Sequence, residues 1–476
     1  MIEPLVRNNL SRLQAYYDRA PSPARHVLIS ARGWLLTRIR YSAQAADFLR
    51  QLRRNETWTA AQIREYQLAA LRRTLQCAQN TAPYYAHYPK IDLRSLDDLR
   101  RLPILTRDDA LTNQENLLAQ DVSPRERIRA GTTGTTGASL KVAYTEQLAR
   151  ENWAFLLRQW AWAGLSPRQP RITFQGARVV PAERREPSFW TYNLPERQIL
   201  ASIFHLSETT AEAYLGFLQR HRGKVLEGFP SVLGILADFA LARGLQIPMR
   251  AVFTSGEPLY PSNRSKIEEA FGARVFDSYG MTEYCGLIQE CEAGRMHLIP
   301  EHGFLEIVSD AGDPVALGED GHFVWTGFLN RAMPLIRYRI GDRGRWEDAG
   351  PCLCGRAFPQ VVPTITRESD LLRCPDGRIF SPRALNQFLK QSTSLRSCQF
   401  VHSRFDRVIV RASVASRTNE SEWHTRATEE LMHIRERVQQ LLGAEMYVTA
   451  EIAAAPISRP GGKIPLIVNQ LNQEPQ

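Results

Sequence analysis

Lysine is the scarcest contributor to this chain's charge. Of 60 basic residues only six are lysines, at positions 90, 141, 224, 266, 390 and 463, so arginine is the default cation. A compact ammonium kept at so few places points to sites where the planar guanidinium is the poorer fit. Cysteine is sparse too, and seven is an odd total, which argues against a framework of paired disulfides. No apolar run approaches the ~20 residues of a bilayer span, so no transmembrane segment is expected. The N-terminus lacks the compact apolar core and cleavage site of a secretory signal, and a cytoplasmic protein is expected. The net charge of +10 is spread along the whole chain with no RNP, zinc-finger or basic-helix motif behind it. That excludes the obvious nucleic-acid readers and fits a protein that handles anionic metabolites. Internal repeats and low-complexity segments are absent as well. What remains is an ordinary globular composition, 43% hydrophobic and 23% charged, in 476 residues, a length that suggests more than one domain.

Against that background one stretch stands out. Gly131-Thr132-Thr133-Gly134-Thr135-Thr136-Gly137-Ala138-Ser139-Leu140-Lys141 combines three glycines, four threonine hydroxyls and one of the rare lysines. Glycine lets a backbone turn tightly and bring N–H groups up to an anion, while the hydroxyls and the ammonium add donors. The spacing is not that of a Walker loop, since the lysine comes four residues after the last glycine. By itself the segment reads either as a phosphate cradle or as a flexible turn.

Residues 1 to about 90 read as helical and arginine-rich, with Leu10, Leu13, Tyr16 and Tyr17 on one stripe and further helices over 42–55 and 58–82. A helical cap on the main domain is the plain reading, and attachment to a lipid surface through Trp34-Leu35-Leu36 is the other. From about 125 to 366, short β-rich runs alternate with helical patterns. Val225–Ser231, Arg250–Gly256 and Arg274–Gly280 are strands ending in turns, and 232–243 and 261–271 are helices. Such alternation implies βαβ units with ligand loops at the carboxyl ends of the strands. From 367 a smaller α+β unit follows, with strands near 399–402, 407–411 and 447–450 and a long helix over 420–442.

Short motifs fall in order along this frame: Tyr279-Gly280-Met281-Thr282-Glu283, Tyr338-Arg339-Ile340-Gly341-Asp342, Thr366-Arg367-Glu368-Ser369-Asp370 and Gly461-Gly462-Lys463-Ile464. Together with the loop at 131–141 the series resembles the core motifs of the adenylate-forming (acyl-CoA synthetase) superfamily. Pro83-Tyr84-Tyr85, the run from Asn330 to Arg337, Cys352-Leu353-Cys354-Gly355-Arg356 and Pro375-Asp376-Gly377-Arg378 resemble its phenylacetate-CoA ligase-like branch. Within that branch the chain is most similar to capsule-biosynthesis-type members, and the resemblance covers roughly residues 55 to 470.

The resemblance implies an α/β fold: an N-terminal adenylation domain, 1–366, of several subdomains, and a small mobile α+β lid, 367–476. It implies a first step in which a carboxylic acid and ATP give an acyl-adenylate, and a second in which a nucleophile, expected to be coenzyme A, takes the acyl group. An amine acceptor, adenylyl transfer to a hydroxyl, and a non-catalytic nucleotide-binding scaffold are the rival readings, and a dimer is entertained. Residue by residue it implies that Thr132, Thr133, Gly134, Thr135, Thr136, Gly137 and Lys141 hold the triphosphate. Thr282 meets the α-phosphate and Glu283 holds Mg²⁺, a hard ion suited to oxygen ligands. Asp342 accepts from the ribose hydroxyls, Arg367 holds the nucleotide near the domain junction, and Lys463 steadies charge during adenylation. Tyr279, beside Gly280, stacks on adenine or else fills the core. Two positions depart from the usual text: Arg459-Pro460-Gly461-Gly462 replaces a polar residue before Gly-Lys, and Ser369 stands where an acid is common.

Cys291-x₅-His297 and Cys352-x-Cys354 offer three thiolates and an imidazole, a set suited to structural zinc. Their meeting is implied by the resemblance, with Cys285 a competing ligand and reduced buried thiols the alternative. His205, between Phe204 and Leu206, belongs either to an acyl pocket or to the packing. Trp153, Trp160, Trp162, Phe174, Trp190 and Tyr192 are open to the same two readings.

Overall fold

A computed structural model of the chain describes residues 17, 19–131, 140–175, 179–181, 184, 186–347, 349–363, 372–375, 379–380, 385, 387–389, 394–414, 420–458 and 464–471. Thr132 to Gly137, Arg367 and Lys463, expected at the nucleotide site, therefore lie outside the described residues, as does the expected domain boundary at 366/367.

The N-terminal part opens with helices α1 (Ser22–Arg40), α2 (Ala43–Asn55) and α3 (Ala60–Thr81). Their starts follow from local chemistry. Ser42 accepts from the Ala45 amide ahead of α2, and Thr59 and Gln62 cap α3 reciprocally, satisfying N–H groups a helix leaves open. The short α4 (Arg107–Thr112) uses Thr106 and Asp109 in the same way. The hairpin β1 (Ile128–Gly131) and β2 (Lys141–Tyr144) follows, and then α5 (Glu146–Trp162).

The chain next builds β3 (Arg171–Gln175), β4 (Trp190–Asn193), β5 (Gln198–Ser202), α6 (Ala211–Arg220), β6 (Val225–Gly228), α7 (Pro230–Leu241), β7 (Ala251–Ser255), α8 (Pro261–Phe271), β8 (Val275–Gly280), β9 (Leu287–Glu290) and β10 (Met296–Leu298). These strands form an eight-stranded sheet in the order β10-β9-β8-β7-β6-β3-β5-β4. The five central strands are parallel, and β4, β9 and β10 join antiparallel at the edges. Successive strand residues face opposite sides, and the two sides are both covered. Leu226, Val252 and Val275 pack under α6, α7 and α8, while Val225, Ala251, Phe253 and Phe276 pack against Trp160 and Phe155 of α5. Burial on both faces explains why these strands read as continuous apolar runs.

Both edges of this sheet are sealed. At β4, the Tyr192 amide donates to His26 Nδ1 and the Tyr192 carbonyl accepts from Ser30, both on α1. The helix comes so close that a Cβ on Gly33 would collide with the Asn193 side chain. At β10, the Leu298 amide donates to the Pro359 carbonyl at 2.8 Å. Unpaired edge groups are a template for foreign strands, and both segments remove it. A buried ion pair ties the helices together. Arg158 of α5 meets Glu301 at 2.8 Å and Asn55 of α2 donates to the same carboxylate at 3.2 Å.

A second sheet follows, β11 (Gly303–Val308), β12 (Gly321–Gly327), β13 (Tyr338–Trp346) and β14 (Val361–Pro363), a simple antiparallel meander. The expected strand–helix alternation to 366 thus stops at β8: among the described residues no α-helix lies between Leu287 and Pro363. Every residue of β12 is buried, and such a strand carries no alternating signature by which a sequence reader would separate it from a parallel one. Leu305, Phe323, Trp325 and Tyr338 of this sheet share a core with Leu71 and Leu75 of α3.

The C-terminal unit is smaller: β15 (Leu372–Arg373) pairs with β16 (Ile379–Phe380), and β17 (Leu395–Arg404), β18 (Arg407–Val414), α9 (Glu420–Leu442), β19 (Tyr447–Ile452) and β20 (Ile467–Asn469) follow. The sheet order is β19-β18-β17-β20. Leu431, Ile434, Val438 and Leu442, at helical spacing on α9, pack on Phe400, Val408 and Val410 of the sheet as a core of their own.

Candidate active site and a cysteine–histidine cluster

At the carboxyl end of β8 the chain runs through Tyr279 and Gly280 into a turn holding Met281, Thr282, Glu283 and Tyr284. The turn is held by its neighbours. Tyr284 has φ 54°, a left-handed conformation. Cys285 lies so close to the second sheet that a Cβ on Gly303 would come within 2.2 Å of its carbonyl oxygen, and one on Gly327 within 2.8 Å of its Cα. Two side-chain-free positions on β11 and β12 are what let the turn nest there.

The nesting brings two distant motifs into contact. The Tyr279 hydroxyl donates to Asp342 Oδ2 at 2.6 Å, across 63 residues of sequence. Asp342 is buried on β13 directly after Gly341, whose φ of 92° suits glycine. The Tyr279 ring packs against Phe323 and, nearly parallel, against Trp325. Burial and the adjacent Asp342 carboxylate hold its hydroxyl firmly protonated. Glu283 is buried on the same turn. Its carboxylate accepts from the Tyr338 hydroxyl at 3.4 Å and lies 3.8 Å from the Arg107 guanidinium of α4. Thr282 is half-buried.

The strands behind the turn are braced by Gln159 of α5. Its amide nitrogen donates to the carbonyls of Asp277 and Glu290, and its oxygen accepts from Ser278 at 2.7 Å. Asp277 itself is buried, and burial pushes its carboxyl up to about 7. The Thr254 hydroxyl, donating at 2.7 Å, pulls the other way.

Gly131 and Lys141, described residues on either side of the glycine/threonine stretch, are paired in the β1–β2 hairpin. The Lys141 amide donates to Gln114, and its side chain is exposed. Asn330 fixes this hairpin, donating to the Ala143 carbonyl at 3.0 Å while its oxygen accepts from the amides of Ala332 and Met333.

Cys291, His297, Cys352 and Cys354 form a separate group, their ligand atoms all within 4.8 Å of one another. The sulfurs of Cys291 and Cys352 are 3.7 Å apart, and Cys354 Sγ lies 3.5 Å from His297 Nε2. Four ligands at Zn–S and Zn–N lengths of about 2.3 and 2.0 Å would be separated by roughly 3.8 and 3.5 Å. His297 Nδ1 faces the Phe358 carbonyl at 2.9 Å, a contact that turns Nε2 toward the thiols. Cys285 is not in this group; its sulfur sits 3.1 Å from that of Met281.

His205 is fully engaged, with Nδ1 at 2.7 Å from the Ser202 hydroxyl, Nε2 at 3.0 Å from the Pro181 carbonyl and its ring stacked on Phe189. Trp160, Trp162, Phe174 and Trp190 are buried in the two cores beside the main sheet. Arg107 and Gln159 were not singled out from the sequence. Each acts through a contact across more than a hundred residues, and no local pattern marks such a contact.

Residues 199–327, from β5 to the end of β12, match the AMP-binding enzyme family. Protein CapK of Staphylococcus aureus is 22% identical over 417 residues, 84% of this chain and 88% of that protein. The phenylacetate-coenzyme A ligase of Thermus thermophilus is 26% identical over 333 residues, 67% and 73% of the two chains. The chain thus contains an AMP-binding enzyme segment and is similar over most of its length to CapK and to phenylacetate-coenzyme A ligases. Among solved structures, 2-hydroxyisobutyryl-CoA ligase in its postadenylation state, in complex with R3-HIB-AMP, superposes with a TM-score of 0.67 at 21% identity, covering 87% of this chain and 91% of that one. That likeness shows a shared fold over most of the chain, well beyond the matched segment. The AMP-binding match includes Tyr279, Thr282 and Glu283, and ends before Asp342 and the Cys352–Cys354 pair.

Proposed function

We propose that this enzyme activates a carboxylic acid with MgATP and passes the acyl group to coenzyme A. A carboxylate oxygen attacks the α-phosphorus, the bond to pyrophosphate breaks, and an acyl-adenylate forms. The thiol sulfur then attacks the acyl carbon, AMP leaves, and the thiol gives up its proton. The observation that carries this reading is the Tyr279–Asp342 hydrogen bond, which joins the two nucleotide motifs beside the buried Glu283. An ionised carboxylate is a strong acceptor for both ribose hydroxyls. In this assignment Asp342 takes the ribose, Tyr279 borders the adenine, and Thr282 meets the α-phosphate. The loop from Thr132 to Gly137, with Lys141, takes the triphosphate. Arg367 steadies the nucleotide, and Lys463, brought by a lid of residues 367–476, steadies the transferring phosphate. Mg²⁺ at Glu283 would offset phosphate charge. The thiol acceptor is supported by the relatives named phenylacetate-coenzyme A ligase. ATP and coenzyme A as co-substrates favour a cytoplasmic setting.

We assign the Cys291–His297–Cys352–Cys354 cluster to structural zinc, supported by the ligand spacing and by the Nδ1 contact that orients His297. Three thiolates and one imidazole close a four-coordinate site and leave no position for a substrate.

A panel of carboxylic acids tested for pyrophosphate release, with thioester formation followed by mass spectrometry, examines the whole reading. One acid should release pyrophosphate and give a thioester only when coenzyme A is present. Lys463→Ala should slow adenylation by about 10²–10³ while ATP still binds. Pyrophosphate release that yields an amide with an added amine, and no thioester, would replace the acceptor. No release with any acid, or normal adenylation by Lys463→Ala, would overturn the assignment.

A further inference from the structure

Helix α1 spends one face on the edge of the main sheet, with Arg25, Gly33, Leu36 and Ile39 turned inward. On the opposite face Val27 is 67% and Trp34 49% exposed, Leu28 on the flank is 49% exposed, and Leu194 in the β4–β5 turn is 73% exposed. Leu194 belongs to the same surface, because its amide donates to Ser30 of α1 at 3.2 Å. Two adjoining elements thus each expose apolar side chains.

The charges around it are of one sign. Arg38 on α1 and Arg168 and Arg197 near Leu194 are exposed, while Arg25 is buried and Arg40 pairs with Glu196. The Arg38 guanidinium lies over the Trp34 ring at 3.8 Å. Beside Leu194, Arg168 donates to the Pro195 carbonyl at 2.9 Å and Arg197 to the Arg168 carbonyl at 3.4 Å, so main-chain oxygens position both cations without neutralising them. The one acid of that turn, Glu196, is buried and points inward to Arg171 at 2.7 Å and Arg40 at 3.2 Å. Glu196 is thus turned away from this surface, while Arg38, Arg168 and Arg197 stay exposed on it.

From this we infer that the patch docks the enzyme on an anionic lipid bilayer. The surface has the parts such docking needs. Aliphatic side chains and a tryptophan enter the headgroup boundary, and arginines whose stems follow the apolar surface meet lipid phosphates. Each basic residue near an anionic leaflet adds attraction that salt screens. A protein interface of ordinary composition would carry outward acids among the arginines of its rim, and the acid of the β4–β5 turn, Glu196, faces inward instead. The proposal stands apart from the catalytic reading, since it uses no residue of the nucleotide site.

The test is co-sedimentation of the full chain with vesicles of phosphatidylcholine alone and of phosphatidylcholine mixed with phosphatidylglycerol. The protein should pellet with the mixed vesicles, stay in solution with the neutral ones, and be released by salt. Arg168→Glu with Arg197→Glu, and separately Trp34→Glu with Leu194→Glu, should each lower the partition coefficient at least about tenfold while leaving the melting temperature near that of the parent. The lipid and salt dependence of the unaltered protein needs no variant, so the proposal remains testable if a variant folds poorly. Failure to bind the mixed vesicles, or equal binding to neutral ones, would overturn it. So would light scattering that shows a dimer dissociated by these substitutions, which would make the patch a protein interface.

Discussion

The hydroxyl of Tyr279 and the carboxylate of Asp342 share a bond of 2.6 Å inside the protein, which separates two roles a tyrosine here could have. If only the ring matters, phenylalanine should serve equally well. If the hydroxyl holds the carboxylate toward the ribose, removing it loses a bond to a charged group, a change of about 1.5–3 kcal/mol before relaxation. Tyr279→Phe should then raise the KM for ATP about three- to tenfold with kcat changed less, because ribose contacts act alike in ground and transition states. Its preference for ATP over 2′-deoxy-ATP should narrow, and Asp342→Ala should abolish that preference. An unaltered KM and preference in Tyr279→Phe would reduce the hydroxyl to core packing. The sequence made both residues visible as motif members, yet not their contact, which depends on how closely the turn after β8 approaches β12 and β13.

Strand β8 carries a different kind of buried acid. Burial raises the Asp277 carboxyl to about 7, so the fold favours its protonated form. Its contribution to stability is complete below the ordinary carboxylate range and is lost as pH rises from about 4 through about 7. Asp277→Asn keeps an acceptor for the Thr254 hydroxyl and never ionises. Its unfolding free energy, measured against the parent, should shift in its favour by more than about 1 kcal/mol between about pH 4 and pH 8. A flat difference across that range would show that Asp277 titrates as an ordinary surface acid. At this scale the sequence was most informative where hydrophobic runs alternated with helical ones. The expected helix at 261–271 is α8 as observed, and the expected strand at 274–280 is β8 with one residue fewer. It was least informative for β11 to β14, whose buried strands mimic the parallel ones, and for α1, whose partner is the outer edge of β4.

Across the molecule, the cysteine–histidine group joins the edge of the first sheet to the segment that enters the second. Cys291 and His297 flank and occupy the β9–β10 edge, and Cys352 and Cys354 precede β14. If zinc closes this clamp, Cys352→Ser should lower both bound zinc, measured by elemental analysis, and the melting temperature, by several degrees, since metal binding and folding are coupled. Full stability without bound metal would leave the three thiols and the imidazole with no such role. The four positions stood out in the sequence as residue types, while their convergence required the pairing of Leu298 with Pro359 that brings the two segments side by side. That pairing also has a consequence during synthesis. The segment that seals the β4 edge has already left the ribosome when β4 appears, but β10 is made about sixty residues before Phe358 to Gln360. For that interval a nascent chain presents one finished sheet with a bare rim, open to a strand from a neighbouring polysome, until the last piece of the clamp arrives.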